Sequence, residues 1–145
     1  MAQQKVRIEI PSGFAPDIRE DIAREIIHFI RERTATEQTG FNPKTGRNYS
    51  LRSKEYTEAY ATKKGVGTAD VDLLLSGDML DAIELLRHDG KTITIGFTDP
   101  EQNGKAEGNQ KGTYGQSKPI PGKARPFLGI QKSDLDKILS KYEGD

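Results

Sequence analysis

The chain has 145 residues, with 22 Lys and Arg against 22 Asp and Glu, two His, and neither Cys nor Trp. This length suits one domain spanning residues 1–145, and the mean hydropathy of −0.73 excludes a chain built from membrane-spanning helices. Without Cys there is no disulfide, thiolate nucleophile or zinc–cysteine site. Residues 1–5 lack the apolar stretch of a secretory signal, which predicts synthesis in the cytoplasm.

Hydrophobic spacing predicts the first two elements. Val6, Ile8 and Ile10 alternate with charged residues, which indicates a half-buried strand that ends near Pro11. Pro16 is typical of a first helical position, and a long amphipathic helix is predicted to follow it. The apolar stripe of that helix comprises Ile18, Ile22, Ile26, Ile27, Phe29 and Ile30.

The next segment is rich in turn-forming residues. Residues 34–53 contain Gly40, Asn42-Pro43 and Gly46, and they lead into a predicted short helix over 53–64. Tyr56 and Tyr60 lie four residues apart on that helix, so they share a face that we expect to pack on the body of the domain.

A helix followed by a hairpin is predicted between residues 71 and 97. Ser76 is a good N-cap, and the apolar residues after it recur at helical spacing. The turn at 88–90 precedes an alternating strand, so the helix must give way to an antiparallel hairpin between Ala82 and Leu86. The apolar residues of that second strand are Ile93, Ile95 and Phe97.

The last third of the chain is predicted to be mostly irregular. Residues 99–118 contain only Ala106 and Tyr114 as apolar residues, which predicts a long loop ordered by subunit contacts. A proline-rich extended arm follows as far as Ile130, and Ser133 is predicted to cap a final helix. Together these elements predict an α+β fold, in which a small antiparallel sheet packs against a long N-terminal helix and shorter helices.

The sequence offers no catalytic motif. Gly90-Lys91-Thr92 lacks both the preceding glycine and the following helix of a phosphate-binding loop. A calcium loop around Asp70 fails because Leu75 occupies the position that requires glycine. His28 and His88 show no local relation to a nucleophile or a second metal ligand. We therefore predict a protein that is not an enzyme and has no cofactor, metal site or catalytic residue.

Charge changes sign in blocks along the chain. Residues 42–64 carry a net charge of +4, residues 65–90 carry −5, and residues 105–125 carry +4. These blocks can cancel within one subunit, or they can pair between copies of the chain. A nucleic-acid-binding module that uses the basic blocks 42–64 and 105–125 is the alternative function.

Several short segments, taken in order, resemble one protein family. They are Leu73-x-x-Ser76-Gly77-x-Met79-x-x-Ala82-Ile83, Ile93-x-Ile95-Gly96, Asn109-Gln110-x-Gly112, Ile120-Pro121 and Arg125-Pro126-Phe127-Leu128-Gly129-Ile130. This combination resembles the virion-morphogenesis or tail-completion proteins of tailed bacteriophages, and the resemblance covers roughly residues 73–139.

The resemblance implies a structural protein of the phage neck, assembled in the host cytoplasm, that joins the DNA-filled head to the tail. Such a protein acts as a six-fold or twelve-fold ring between portal or adaptor proteins and tail proteins, and DNA passes through it without specific binding. The expected subunit-interface residues are Lys118, Lys123, Arg125, Pro126, Phe127, Leu128, Asp78 and Asp81. For Phe127 and Leu128 the alternative is that they close the core of their own subunit.

Overall fold

A computed structural model describes residues 2–51, 78–113 and 124–143 of the chain. The elements are β1 (Lys5–Glu9), α1 (Pro16–Ala35), β2 (Thr39–Asn42), β3 (Arg47–Ser50), α2 (Asp78–Asp81), β4 (Glu84–His88), β5 (Thr92–Gly96), α3 (Pro100–Lys111) and α4 (Lys132–Leu139). This arrangement confirms the predicted α+β fold, with a three-stranded and a two-stranded antiparallel sheet.

The three-stranded sheet has the order β1-β5-β4, and both pairings are antiparallel. Ile93 and Ile95 of the central strand are fully buried, and α1 packs against β4 and β5. The predicted hairpin is therefore confirmed, with α2 ending at Asp81 and β4 starting at Glu84. The register shifts between Leu85 and Arg87, which marks an irregularity in the outer strand β4.

Helix α1 supplies the largest share of the core. Pro16 occupies its first turn, as predicted, and Ile22, Ile26 and Ile30 have no exposed surface. The spacing of four residues keeps these side chains on the face that meets the sheet. Sequence and structure agree on this helix because its apolar stripe is long and regular.

Helix α3 corrects the prediction of a loop beginning at residue 99. Asp99 accepts hydrogen bonds from the backbone N–H groups of Glu101 and Gln102, Pro100 fills the first turn, and Gly112 ends the helix with a φ of 76°. These capping interactions satisfy the otherwise unpaired ends of the helix. The loop prediction is wrong for 100–111 because a polar helix can still bury one small face, here around the fully buried Ala106.

A second correction concerns the turn-rich segment after α1. It forms the β2–β3 hairpin, in which Gly40 pairs with Tyr49 and Asn42 pairs with Arg47. Asn42 Oδ1 accepts from the backbone N–H of Lys44 at 2.9 Å, which stabilises the turn between the strands. With few apolar residues, these strands give little of the alternation that predicts a sheet.

Helix α4 confirms the predicted final helix but not its predicted cap. Leu135, Ile138 and Leu139 are buried, whereas the N-cap is Gln131, and Ser133 lies inside the first turn. Gln131 Nε2 donates to Ser133 Oγ at 2.7 Å. The predicted helix over 53–64, its tyrosines, and the predicted N-cap Ser76 lie outside the described residues.

The end of α4 is tied to α1 through one carboxylate. Tyr142 Oη donates to Glu25 Oε1 at 2.7 Å, and Lys141 Nζ lies 3.1 Å from Glu25 Oε2. The hydrogen bond from Tyr142, aided by Lys141, holds the pKa of Glu25 below its ordinary value. The same hydrogen bond raises the pKa of Tyr142 to about 12.

Tyr142→Phe removes that donor and is expected to reduce the free energy of unfolding by about 0.5–1.5 kcal/mol at neutral pH. Because the pKa of Glu25 is lower in the folded chain, its stabilising effect is present above about pH 4.5 and is lost as the pH falls through the folded value. The difference between the two proteins should shrink in acid. Urea midpoints measured between neutral and acidic pH check this, and a difference independent of pH would contradict it.

Candidate functional site

The arm, defined here as residues 125–130, has an irregular backbone held by three surrounding elements. From α3, Gln110 Oε1 accepts from the backbone N–H of Phe127 at 2.6 Å and from that of Leu128 at 2.9 Å. The backbone N–H of Arg125 donates to the carbonyl oxygen of Asn109 at 2.6 Å. The end of α3 therefore accepts hydrogen bonds from three backbone N–H groups of the arm, which lies in neither a sheet nor a helix.

The β2–β3 hairpin holds the arm from a second side. The carbonyl oxygen of Pro126 accepts from the backbone N–H of Phe41 at 3.1 Å and from Tyr49 Oη at 2.9 Å. A Cβ atom on Gly40 would lie 2.5 Å from that carbonyl oxygen, so the close approach requires glycine.

Helix α1 holds the arm from the third side through one arginine. Arg33 Nη1 donates to the carbonyl oxygen of Gly129 at 2.8 Å, and Nη2 donates to that of Phe127. Its side chain is 1% exposed, and this burial lowers the pKa of Arg33 to about 10, although the charges of Asp134 and Glu37 oppose the shift. The guanidinium thus joins residues about a hundred positions apart in the sequence.

Apolar packing completes the attachment of the arm. Phe127 is fully buried and Leu128 is 4% exposed. The ring of Phe127 meets that of Phe97 edge to face, with centroids 6.4 Å apart. Of the two alternatives for Phe127 and Leu128, the structure shows closure of the subunit's own core. Arg125 is also buried, and Pro126 is half-buried.

Of the remaining predicted interface residues, the structure describes two. Asp78 and Asp81 are exposed on α2, and Lys118 and Lys123 lie outside the described residues. The α2–β4 turn beside the aspartates is fixed by Arg31, whose guanidinium donates to carbonyl oxygens of this turn. The acceptors belong to Leu80, Asp81 and Ile83.

The basic block 105–125 presents less positive charge than its composition suggests. Lys105 and Lys111 each lie within 4.0 Å of a glutamate one helical turn earlier, Glu101 and Glu107 respectively. Arg125 is buried. In the described part of this block the basic side chains are therefore paired along α3 or covered, which weakens its use as a phosphate-binding surface.

Sequence reasoning missed the two side chains that hold the arm most directly. Arg33 follows Ile26 and Ile30 at helical spacing, so its place on the apolar stripe signalled burial despite its charge. Gln110 carried no such signal, because the hydrogen-bonding partner of a single amide cannot be read from spacing. The resemblance did mark Asn109-Gln110, although it gave no role to either residue.

Gln110→Ala leaves the N–H groups of Phe127 and Leu128 without their shared acceptor. We expect this change to reduce the free energy of unfolding by about 1–3 kcal/mol. Gln110→Glu is the matched control, because it retains an acceptor oxygen at the same place. Denaturant titrations of both variants check the prediction, which fails if they are equally stable.

The hydrogen bonds from Gln110 and Arg33 and the packing of Phe127 fix the conformation of the arm. No group of three or more His, Asp or Glu side chains that could hold a metal ion occurs in residues 2–51, 78–113 and 124–143. Within the same ranges, no helix combines the length and apolarity that crossing a membrane requires. The chain matches no protein-family model, no characterised protein and no solved structure.

Proposed function

We propose that this chain is a structural protein of the phage neck, which forms a ring between the DNA-filled head and the tail. One observation supports the proposal: segments that carry the family resemblance contact one another in the folded chain. Asn109 and Gln110 hydrogen-bond to the arm, and β5 continues into Phe97, which contacts Phe127. Segments separated in the sequence thus form one folded unit, as expected if they specify a shared fold.

A ring requires two unlike surfaces on each subunit, because one patch must meet a different patch of the next copy. The exposed Asp78 and Asp81 on α2 supply an acidic surface. The basic charges that would meet this acidic surface on the next subunit are those of Lys118 and Lys123. Attraction between these groups would orient neighbouring subunits and would weaken as salt is added.

The mass of the purified full chain, measured by light scattering and compared with negative-stain images, tests ring formation. We expect masses and images that correspond to six or twelve copies. The double variant K118E/K123E should shift the population toward monomers at low salt without changing thermal unfolding. The double variant K44E/R47E, which reverses the same number of charges on the hairpin, is the matched control.

Labelling of virions separates the proposed location from the alternative function. Label at the head–tail junction would support the neck ring, and a chain that is monomeric alone but labelled there would form its ring only on its neighbours. A monomer absent from virions would overturn the proposal. Salt-dependent DNA binding by that monomer would instead favour the nucleic-acid-binding module.

A further inference from the structure

Strand β1 lies at one edge of the three-stranded sheet, where β5 is its neighbour. The backbone N–H of Ile10, just after β1, donates to the carbonyl oxygen of Lys91 at 2.8 Å, on the side of β5. Backbone groups of a strand alternate in direction from one residue to the next. Those of the even-numbered residues therefore face β5, and those of the odd-numbered residues Lys5, Arg7 and Glu9 point away from the sheet.

The outward backbone groups of β1 pair with no other element of the described chain. The opposite edge of the sheet, β4, is interrupted by the register shift between Leu85 and Arg87, and such irregularities hinder pairing with a further strand. Strand β1 instead keeps one register from Lys5 to Glu9. A regular edge with unpaired N–H and carbonyl groups is a template for an added strand.

The side chains along this edge have a charge pattern that complements itself. Arg7 and Glu9 are exposed, lie on the same face of the sheet, and form no ion pair in residues 2–51, 78–113 and 124–143. Arg7 interacts with Asp89 through charge alone, and Asp89 Oδ1 accepts from backbone N–H groups of its own turn. Two copies of β1 that run antiparallel can place Arg7 of each copy opposite Glu9 of the other.

One register of such a pair suits both the charges and the apolar face. With Arg7 opposite Glu9 in both directions, Ile8 lies opposite Ile8 of the second copy, and Val6 lies opposite Ile10 of that copy. Val6 is only half-buried, whereas Ile8 and Ile10 are buried, so a strand beyond the edge would cover it. A shift of two residues in either direction brings Arg7 opposite Arg7 or Glu9 opposite Glu9, where like charges repel.

We propose that β1 pairs antiparallel with β1 of a second copy of the chain, with Arg7 opposite Glu9, so that two three-stranded sheets become one continuous sheet. The contact has two-fold symmetry, because the same residues meet on both sides. A single pair of strands buries little surface, so we expect a weak association that rises with protein concentration. The pairing uses none of the residues assigned above to the ring contact, and it could join two subunits or two rings.

Hydrogen exchange of single amides, followed by NMR on the full chain over a range of concentrations, tests the pairing directly. Where light scattering finds a doubled mass, we expect the amides of Lys5, Arg7 and Glu9 to exchange about tenfold more slowly than at lower concentration. The amides of Val6 and Ile8 face β5 in both states and should change much less. A mass that never doubles would overturn the proposal. Protection of the odd-numbered amides at every concentration would assign the edge to a segment of the same chain and would also overturn it.

Exchanging the two charges tests the register. Arg7→Glu and Glu9→Arg each bring like charges opposite one another when two identical chains pair, so each variant alone should associate about tenfold more weakly than the unchanged chain. An equimolar mixture of the two variants restores an opposite charge at both positions, and we expect it to associate as tightly as the unchanged chain. A mixture that associates no better than the separate variants would overturn the proposal.

Arg87→Glu is the matched control, because it reverses an exposed charge on β4, at the opposite edge of the same sheet. It should leave the association unchanged, and all three variants should unfold within a few degrees of the unchanged chain when dilute. Equal weakening by Arg87→Glu and Arg7→Glu would show an effect of net charge and would overturn the proposed contact. These outcomes are separate from the neck ring, whose contact is tested by K118E/K123E.

Discussion

Replacing Phe127 with alanine is expected to destabilise the folded chain strongly rather than merely to prevent its assembly. The side chain is fully buried and packs edge to face on Phe97, so its removal leaves a large cavity. Phe-to-Ala changes in cores cost about 3–5 kcal/mol, against a total stability of about 5–15 kcal/mol for a typical domain. Circular dichroism and urea titration of the purified variant measure the loss.

Phe127→Leu is the control for that change, because leucine fills much of the same volume and should cost less than about 1.5 kcal/mol. The free energy of unfolding should be measured at a concentration where light scattering finds only monomer, so that assembly does not add to it. A Phe127→Ala chain that is as stable as the Phe127→Leu chain, but no longer forms rings, would make the arm an interface despite its burial.

Gly129→Ala is expected to be the second most damaging change, with a loss of about 2–4 kcal/mol from backbone strain and overlap together. Gly129 has a φ of 156°, and a Cβ atom added there would lie 2.3 Å from Cδ2 of Phe41. Relief of that overlap requires either the ring or the arm to move. Movement of the arm would also disturb the hydrogen bond from Arg33 to the carbonyl oxygen of Gly129.

Comparison with Gly46→Ala separates the cost of backbone strain from the cost of the steric overlap at Gly129. Gly46 also has a positive φ, 70°, but a Cβ atom there would meet nothing within 4 Å. Its replacement should cost about 1–2 kcal/mol, the price of the left-handed conformation alone. Thermal unfolding of the two variants gives the comparison. Equal losses of stability would show that Phe41 or the arm moves away from the added methyl group at no energetic cost.

The elements that could be predicted from the sequence are those with a regular apolar pattern. The alternation predicted for β1 and β5 and the apolar stripe of α1 each repeat one spacing several times, and the structure contains all three elements, although every residue of the central strand β5 is buried. Helix α3 lacks that pattern, since Ala106 is its only fully buried apolar side chain. Its Asp99-Pro100 start and Gly112 end were the available signals, and they outweigh the missing stripe.

The arm could be singled out from the sequence, but the contacts that it makes could not be predicted. The arm was singled out by its proline and aromatic residues, and it does lie at the centre of the contacts described here. Its partners Arg33 and Tyr49 stand far from it in the sequence. Contacts between side chains and backbone carbonyls leave no periodic trace, because a carbonyl acceptor is present at every residue.

The long sequence separation of the contacts around the arm affects the order in which the chain folds. Arg33 and Phe127 are 94 residues apart, and Glu25 and Tyr142 are 117 apart. During synthesis, α1 leaves the ribosome long before residues 127–129, so the guanidinium of Arg33 lacks its carbonyl partners until translation is nearly complete. Such distant contacts slow folding, because the entropy cost of closing a long loop comes before the favourable packing contacts form. These contacts therefore complete the fold late, after the sheet and α1 can already have met.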